Sequence, residues 1–373
     1  MKNMKKKKIL FFHFDLQGGG AEKVLVNLLN HLNPDKYDIT LQTIFGVGPN
    51  LNFLSKHIRF KCLFKRQFRG FNTMMKLLTP HMLHKLLIRE CYDIEIGYME
   101  NSPTRIISGC HNPNTKTAAW VHIEIDNLNN FLVGYRNKKE ALSCYENIDK
   151  ICFVSKTAKE SFERFLPEVL TSKSVLYNVN DFDKIYKLSN ENIPIDLDPK
   201  VFNICSVGRL TTQKRFDRLV NVVYRIKEDG YQVHLYILGE GEERYKLEAQ
   251  IKELSLEDDV KLLGFDVNPY KYVAKMDLFV CSSQKEGYST AVTEAVSLGV
   301  PVVTTECSGM MEILHDGEYG LIVENNEASL YEGLKDVLSS PDKIKCYRES
   351  IANSKLFNTN LLVNRYEEFI DSL

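Results

Sequence analysis

The chain has 373 residues, of which 44% are hydrophobic and 26% charged, and its formal net charge is −1. This composition excludes a disordered chain, and no apolar run approaches the roughly 18 residues of a membrane-spanning helix. One hydrophobic core rarely serves a chain longer than about 250–300 residues, so we expect two domains. The short apolar stretch after the lysine-rich start contains His13 and Asp15. We interpret it as a buried strand and not as a signal peptide.

The nine cysteines form no CxxC pair, and several lie in predicted strands. Such residues are typical of reduced core thiols, which favours a cytoplasmic location. Cysteine and histidine also lack the close spacing of a local metal-binding motif, so the sequence predicts no metal site.

The first 180 residues predict alternating strands and helices. A strand over 9–14 ends in Gly18-Gly19-Gly20, and a helix follows from about Ala21 to Leu32. Glycine at such a turn lets a ligand approach backbone amides, although the GxGxxG pattern of dinucleotide-binding proteins is missing. His122 closes a later strand, at the sheet edge where ligands of α/β proteins bind, and a structural role for it is the alternative. Further strands are predicted at 39–45, 92–98, 116–122, 150–154 and 174–177, and helices at 138–147 and 156–165.

Positive charge is concentrated in this half of the chain. Residues 1–180 hold 26 Lys and Arg against 16 Asp and Glu, whereas the remainder holds 22 against 33. Between Asp38 and Glu90 there are nine basic residues and no acidic one. Because phenylalanines alternate with these cations, segment 56–89 predicts an amphipathic helix on an anionic membrane. A core helix with a solvated basic face is the alternative, and no motif indicates nucleic acid.

A second α/β series follows a predicted linker at 181–200, which lacks periodicity and is rich in Asn, Asp and Pro. This series occupies 201–355. Arg209 and Lys214 flank the start of a predicted helix over 215–228, where both can reach a bound phosphate; two surface cations are the alternative. Further strands are predicted at 201–207, 233–238, 260–263, 278–282, 301–303 and 321–323, and helices at 270–274, 291–298, 310–314, 326–338, 342–353 and 359–371.

Residues 277–303 predict a buried strand, a polar loop, a helix and a second strand. The loop and the start of the helix read Glu286-Gly287-Tyr288-Ser289-Thr290. The unpaired amides of a helix N-terminus form an anion site suited to phosphate. Glu286 and Glu294 bracket this site, and a carboxylate beside a phosphate is costly unless it accepts hydrogen bonds from hydroxyls. The pair therefore predicts a sugar on each side of the phosphates, with two solvated glutamates as the alternative.

Three strings, VGRLTTQK, LGEGEER and EGYSTAVTEAVSLGVPVV, resemble the C-terminal half of retaining nucleotide-sugar glycosyltransferases of family 4. GGGAEKV and WVH in the first half fit the same family, so the resemblance covers nearly the whole chain. It implies the α/β GT-B fold, in which two Rossmann-like domains face a central cleft. It also implies that a C-terminal helix, 356–373, completes the domain formed by residues 1–180.

The resemblance implies a role for each matching residue. Glu294 would hold the ribose hydroxyls, Glu286 the donor sugar, and His122 would lie near the anomeric carbon. Arg209 and Lys214 would neutralise the diphosphate and stabilise it as it leaves. The remaining donor contacts would come from loop residues near the phosphates and from two residues near the base: Gly19, Gly287, Tyr288, Ser289, Thr290, Gly239 and Phe265.

The reaction implied is transfer of a sugar from a UDP-sugar to a saccharide acceptor, lipid-linked, in capsule or polysaccharide assembly at the inner face of the cytoplasmic membrane. Fixed cations and helix amides would replace a metal, so no metal or cofactor is expected. Asn178-Val179-Asn180-Asp181 departs from the family's Asn-Gly-Val-Asp or Asn-Pro-x-Asp, and Tyr288 is larger than many of its counterparts. A UDP-sugar 2-epimerase of the same fold and a non-catalytic partner protein remain alternatives.

Overall fold

The computed structural model describes residues 5–17, 19–68, 70–354 and 357–373, without the side chain of Asn72. Gly18 of the glycine turn and residue 356 of the predicted C-terminal helix lie outside this range. The chain divides into two compact units. The first unit runs to Asn180 and includes Thr359–Leu373, and the second unit is Asp181–Asn358.

All strand pairings in the described residues are parallel, which confirms the predicted α/β class. The first unit contains β1 (Lys7–His13), β2 (Tyr37–Phe45), β3 (Arg59–Phe64), β4 (Ile94–Gly97), β5 (Lys116–Val121), β6 (Lys150–Phe153) and β7 (Ser172–Val175). The second unit contains β8 (Phe202–Val207), β9 (Val233–Leu238), β10 (Val260–Gly264), β11 (Leu278–Cys281), β12 (Val302–Thr305) and β13 (Gly320–Val323).

Helices connect the strands in both units. They are, in chain order, α1 (Gly20–His31), α2 (Phe71–Met75), α3 (Pro80–Leu87), α4 (Ser102–Ile107), α5 (Leu128–Phe131), α6 (Lys138–Glu146), α7 (Lys156–Phe165), α8 (Phe182–Ser189), α9 (Phe216–Glu228), α10 (Arg244–Glu253), α11 (Tyr270–Val273), α12 (Thr290–Ser297), α13 (Met310–Ile313), α14 (Glu327–Leu338), α15 (Pro341–Ala352) and α16 (Thr359–Asp371). Among the described residues, no helix combines the length and the apolar character needed to cross a membrane.

Each sheet has one point where the strand order reverses. The orders are β3-β2-β1-β4-β5-β6-β7 in the first unit and β10-β9-β8-β11-β12-β13 in the second. The reversals therefore lie between β1 and β4 and between β8 and β11. In open parallel sheets, ligands bind beyond the carboxyl ends of the strands at such a reversal. The loops after these four strands are the first place to look for a functional site.

The C-terminal helix α16 packs on the sheet of the first unit. The indole of Trp120, on β5, stacks on the ring of Tyr366 at 5.7 Å and meets the ring of Phe369 edge-on at 5.1 Å. The carboxylate of Glu367 pairs with Lys36 at 2.6 Å. These contacts explain why the last residues of the chain fold with the first 180.

The prediction of one amphipathic helix over 56–89 is wrong. The segment forms β3, α2 and α3, and Pro80 starts α3 behind a Thr79 cap that accepts a hydrogen bond from the Met82 amide. Its phenylalanines pack edge-on with those of neighbouring elements, for example Phe71 on Phe45 at 5.3 Å. The aromatic residues that suggested a membrane-facing surface are therefore drawn partly into the core.

The prediction of an unstructured linker at 181–200 is also wrong, because this stretch contains α8. Asp181 caps the helix by accepting a hydrogen bond from the Lys184 amide. Phe182, Ile185 and Ser189 are buried and lie three or four residues apart, which is the spacing of one helical face. α8 packs against α11 and α12 and belongs to the second unit.

Candidate functional site

An ion pair lies at the strand reversal of the second unit. Lys214, in the turn after β8, donates from Nζ to Glu286 Oε1, in the loop after β11, at 2.6 Å. The Ser283 hydroxyl donates to the same oxygen at 2.6 Å, and Glu286 Oε2 has no hydrogen-bond partner among the described residues. Burial alone would lower the pKa of Lys214, but the Glu286 carboxylate outweighs it and the pKa is raised. The lysine is therefore charged, and one carboxylate oxygen remains available to a ligand.

The two loops that carry this pair are bound to each other. The Ser282 hydroxyl donates to the Lys214 carbonyl at 2.9 Å, and the Gln284 amide donates to the Gln213 carbonyl at 2.8 Å. The Asn325 side chain donates to the Gln284 carbonyl at 2.9 Å. Such contacts hold Lys214 and Glu286 in place before any ligand arrives, which is the preorganisation that electrostatic catalysis requires.

The loop after β9 approaches the loop after β8 very closely. Gly239 has φ +144, and a Cβ there would lie 1.9 Å from the Gly208 carbonyl oxygen, so only glycine fits. Arg209 is exposed next to this contact, and its charge opposes the rise in the pKa of Lys214, so the two cations lie near each other. The Arg209 side chain has no hydrogen bond or ion pair among the described residues. Phe265, which follows β10, is 71% exposed.

The loop that precedes α12 exposes the amides of a helix N-terminus. Ser289 is the N-cap, and its hydroxyl accepts a hydrogen bond from the Val292 amide. The preceding Gly287 and Tyr288 pack against Gly309, where a Cβ would lie 3.0 Å from both the Gly287 carbonyl oxygen and a Tyr288 ring carbon. Tyr288 is thus partly packed into the core beside Gly309. Thr290 is the first residue of the helix, so the predicted anion-binding amides do lie at a helix start.

Glu294 lies one turn into α12 and is only 6% exposed. The buried hydroxyl of Tyr270, at the start of α11, donates to its Oε1 at 3.3 Å. Sequence reasoning did not single out Tyr270 or Ser283. Both act on a predicted glutamate, but Tyr270 lies 24 residues from its partner, so no local motif would connect them.

The first unit carries the other two predicted residues. Gly19 is the N-cap of α1, and a Cβ there would meet only the movable Glu22 carboxylate. The backbone amide of His122, after β5, donates to Glu100 Oε2 at 3.0 Å. Burial is the largest cause that lowers the pKa of His122, and the nearby His13 lowers it further. A hydrogen bond to the Tyr98 backbone acts in the opposite sense, and the resulting pKa is about 3. The imidazole of His122 is therefore neutral near pH 7.

His13, at the end of β1, is a buried histidine that the sequence analysis used only to reject a signal peptide. Its Nδ1 donates to the Asp15 carbonyl at 2.7 Å, and burial lowers its pKa to about 4. The Nε2 atoms of His13 and His122 are both buried without a hydrogen-bond partner among the described residues. His13 lies at the end of a strand beside the reversal of strand order, and this position is the feature that could have identified it.

Two parallel sheets with these strand orders and a cation–carboxylate pair at one reversal define the GT-B class of glycosyltransferases. Anabaena HepE, solved in complex with UDP, superimposes with a TM-score of 0.75 and 18% identity, covering 98% of this chain and all of that one. The family model described as "Glycosyl transferases group 1" matches residues 190–355.

Sequence relatives extend the match to nearly the whole chain. The N-acetylgalactosamine-N,N'-diacetylbacillosaminyl-diphospho-undecaprenol 4-alpha-N-acetylgalactosaminyltransferase of Campylobacter jejuni is 32% identical over 351 residues, 91% of this chain and 93% of that protein. The amylovoran biosynthesis glycosyltransferase AmsD of Erwinia amylovora is 25% identical, covering 95% and 96%. This chain belongs to the group 1 glycosyltransferases and acts in glycan or polysaccharide biosynthesis of the bacterial type. The predicted GT-B fold is confirmed, and so is the prediction of a glycosyltransferase; retention and membership of family 4 stay predictions.

Proposed function

We propose that the protein transfers a sugar from a UDP-sugar, with retention of anomeric configuration and without a metal, to a saccharide carried on a lipid diphosphate. The observation that carries this proposal is the contact of Lys214 and Ser283 with one oxygen of Glu286, with the other oxygen available, beside the start of α12. The C. jejuni relative supports the acceptor class, because its name specifies a saccharide on diphospho-undecaprenol. HepE was solved with UDP, which supports uracil as the base of the donor.

The nucleoside would be held by Glu294. A buried carboxylate is stable only when hydrogen bonds satisfy it, and Tyr270 already supplies one. Each carboxylate oxygen has two lone pairs, so the same carboxylate can also accept hydrogen bonds from two vicinal hydroxyls of a ribose. Gly239 would allow the base to approach the backbone of the β9 loop, with the exposed ring of Phe265 beside it.

The departing diphosphate would be stabilised by fixed positive charge. Lys214 and Arg209 supply two cations, and the amides from Gly287 to Thr290 add the partial positive charge of a helix start. Such groups stabilise the charge that develops on a leaving phosphate, and removing one donor of this kind typically costs a factor of about 100–1,000 in rate. A metal ion is then not required for this step.

The sugar would be held by Glu286, whose Oε2 can accept a hydrogen bond from a ring hydroxyl. His122 is the residue of the first unit to which we assign a part in turnover. The neutral imidazole of His122 can accept a hydrogen bond at Nε2, which lacks a partner among the described residues. Retention is supported by the α-linkage in the name of the C. jejuni relative, since the hexose in common UDP-sugars is itself α-linked.

Thermal-shift titration with EDTA present tests the donor site. We expect UDP at about 100 times its dissociation constant to stabilise the protein by about 2.7 kcal/mol, while GDP and ADP stabilise it less. Glu294→Ala should remove most of this shift, and His122→Ala should keep the shift but lower kcat. The exposed Glu332, on α14, provides the matched control Glu332→Ala. A UDP shift that survives Glu294→Ala, or that requires a metal, would contradict the assignment.

A lipid-linked acceptor lies in a membrane, so the enzyme must contact the membrane surface. We propose that α3 and the residues before it form this contact. Leu77, Met82 and Leu86 are exposed by 79%, 50% and 52%. They lie next to exposed cations, among them Lys85, in the segment that has no acidic residue. Apolar side chains beside cations favour an anionic lipid surface, where each cation contributes on the order of 1 kcal/mol.

Co-sedimentation with vesicles, with and without anionic lipid, tests this contact. We expect binding only to anionic vesicles, weakening as salt rises. Replacing Leu77 and Leu86 together with serine, or Lys85 with glutamate, should reduce the bound fraction at least about fivefold, the equivalent of 1 kcal/mol. Leu170→Ser is the matched control, because Leu170 is 88% exposed outside this segment. Equal binding by the control and the variants would overturn the proposal.

A further inference from the structure

Three side chains of the first unit, of types that bind metals in many proteins, meet beneath α3. His84 lies on α3, Glu95 on β4, and Cys110 follows α4. One ligand atom from each lies within 4.8 Å of the other two, and His84 Nε2 is 2.6 Å from Glu95 Oε2. The side chains of Glu95 and His84 are 3% and 15% exposed. The cluster is therefore built from three elements and is largely shielded from solvent.

The three side chains can offer a metal more negative charge than positive charge. When they bind a metal, a carboxylate, a thiolate and a neutral imidazole together carry two negative charges, and a dication balances this charge in a buried site. Cysteine, histidine and glutamate with one remaining position are a ligand set typical of zinc.

The backbone around the cluster is already in place. A Cβ on Gly109, the residue before Cys110, would lie 2.1 Å from the Pro80 carbonyl oxygen at the start of α3. The loop that carries Cys110 thus rests directly on the helix that carries His84. Tetrahedral zinc with bonds of about 2.0–2.3 Å separates its ligand atoms by about 3.4 Å, so the His84–Glu95 contact would open by less than about 1 Å.

The cluster faces the side of the sheet opposite to His122. Side chains alternate along a strand, so Glu95 and Gly97 share one face of β4, and α4 packs there, since a Cβ on Gly97 would lie 2.9 Å from the Thr104 Cα. Tyr98 faces the other side, where it stacks on Trp120 at 5.3 Å and contacts the ring of His122 at 4.9 Å. A metal at the cluster would therefore lie on the opposite face of this sheet from His122.

We propose that His84, Glu95 and Cys110 bind one Zn²⁺ ion, with water as the fourth ligand, and that the ion ties α3 to the sheet. The ion would fix the position of α3, the helix that carries the exposed Met82 and Leu86. The residues are 11 and 15 positions apart in the chain, which is why no local spacing motif indicated a site.

Cobalt and zinc titration of the full chain, stripped with EDTA and then freed of the chelator, tests this site. We expect one Co²⁺ per chain with a thiolate-to-cobalt charge-transfer band, and we expect one Zn²⁺ per chain to displace the cobalt and abolish the band. Zinc at about 100 times its dissociation constant should raise the Tm by roughly 5–10 °C. EDTA should reverse this rise in Tm but should not abolish the separate Tm shift caused by UDP. The proposed zinc site and the proposed donor site are therefore tested independently.

Variants separate this site from chance binding. Cys110→Ser should abolish the charge-transfer band, and Glu95→Gln should weaken zinc binding at least about tenfold. Cys91→Ser is the matched control, because Cys91 is an exposed thiol in the same unit. His111→Ala tests the neighbouring pair in which Nδ1 of His81 and Nδ1 of His111 are 3.1 Å apart, and it should leave binding unchanged. Unchanged Trp120 fluorescence shows that a variant is folded. Absence of stoichiometric binding to the parent chain, or a band that survives Cys110→Ser, overturns the proposal.

Discussion

Replacing Lys214 with methionine should lower kcat/KM by a factor on the order of 1,000. Methionine keeps much of the length of the side chain but removes the charge that the proposal assigns to the departing diphosphate, and the loss of one such group costs about 2.7–4 kcal/mol in the transition state. The measurement is steady-state transfer from UDP-sugar to a lipid-linked saccharide. Because the lysine also holds Glu286, the variant leaves that carboxylate with Ser283 as its one hydrogen-bond partner among the described residues.

A second variant separates the loss of catalysis from the loss of stability. Lys214→Met alone should destabilise the second unit by about 1–3 kcal/mol, since it leaves a mostly buried carboxylate without its cation. The double variant Lys214→Met/Glu286→Gln should recover much of the stability and none of the activity. Lys252→Met, at an exposed position of α10, is the control. Near-parental kcat/KM in the folded Lys214→Met protein would remove the lysine from the mechanism.

Acidification should destabilise the first unit through its two buried histidines. The pKa values of His13 and His122 fall to about 4 and about 3 from an ordinary value of 6.5, chiefly by burial. Because both are lowered, their contribution to stability is complete above about pH 6.5 and is lost as the pH falls toward the folded-state values. For His13 alone the loss by pH 4 is about 3 kcal/mol. Asp15 works in the opposite sense, since burial raises its pKa.

Denaturant unfolding followed by tryptophan fluorescence measures this effect in the first unit alone. The chain has one tryptophan, Trp120, which lies in that unit. His13→Asn and His122→Asn should each reduce the loss of stability between pH 6.5 and pH 4, because asparagine does not titrate. The exposed His57 provides His57→Asn as the control, which should keep the parental pH dependence. A parental slope in both buried-site variants would show that the acid sensitivity has another source.

Part of the fold follows from local pattern and was predicted closely. The helix over 156–165 and the strand over 233–238 coincide with α7 and β9, because their periodicity and flanking residues agree. The strand β3 was missed, since its side chains are only partly buried and the surrounding Lys and Arg resemble a helix face. α8 was missed because Asn, Asp and Pro obscured three buried positions on one face. In both cases the deciding contacts come from elements distant in the chain.

By itself, the sequence determined the family, the α/β class and the loops that hold the candidate donor residues, because short motifs at strand ends encode these features locally. Only the tertiary structure joined Lys214 to Glu286, placed Tyr270 on Glu294, and brought His13 near His122. It also assembled His84, Glu95 and Cys110 from three separate elements. The physical reason is the parallel sheet itself. Each crossover carries the chain away from a strand end and returns it beside another, so residues that act together lie tens of positions apart in sequence.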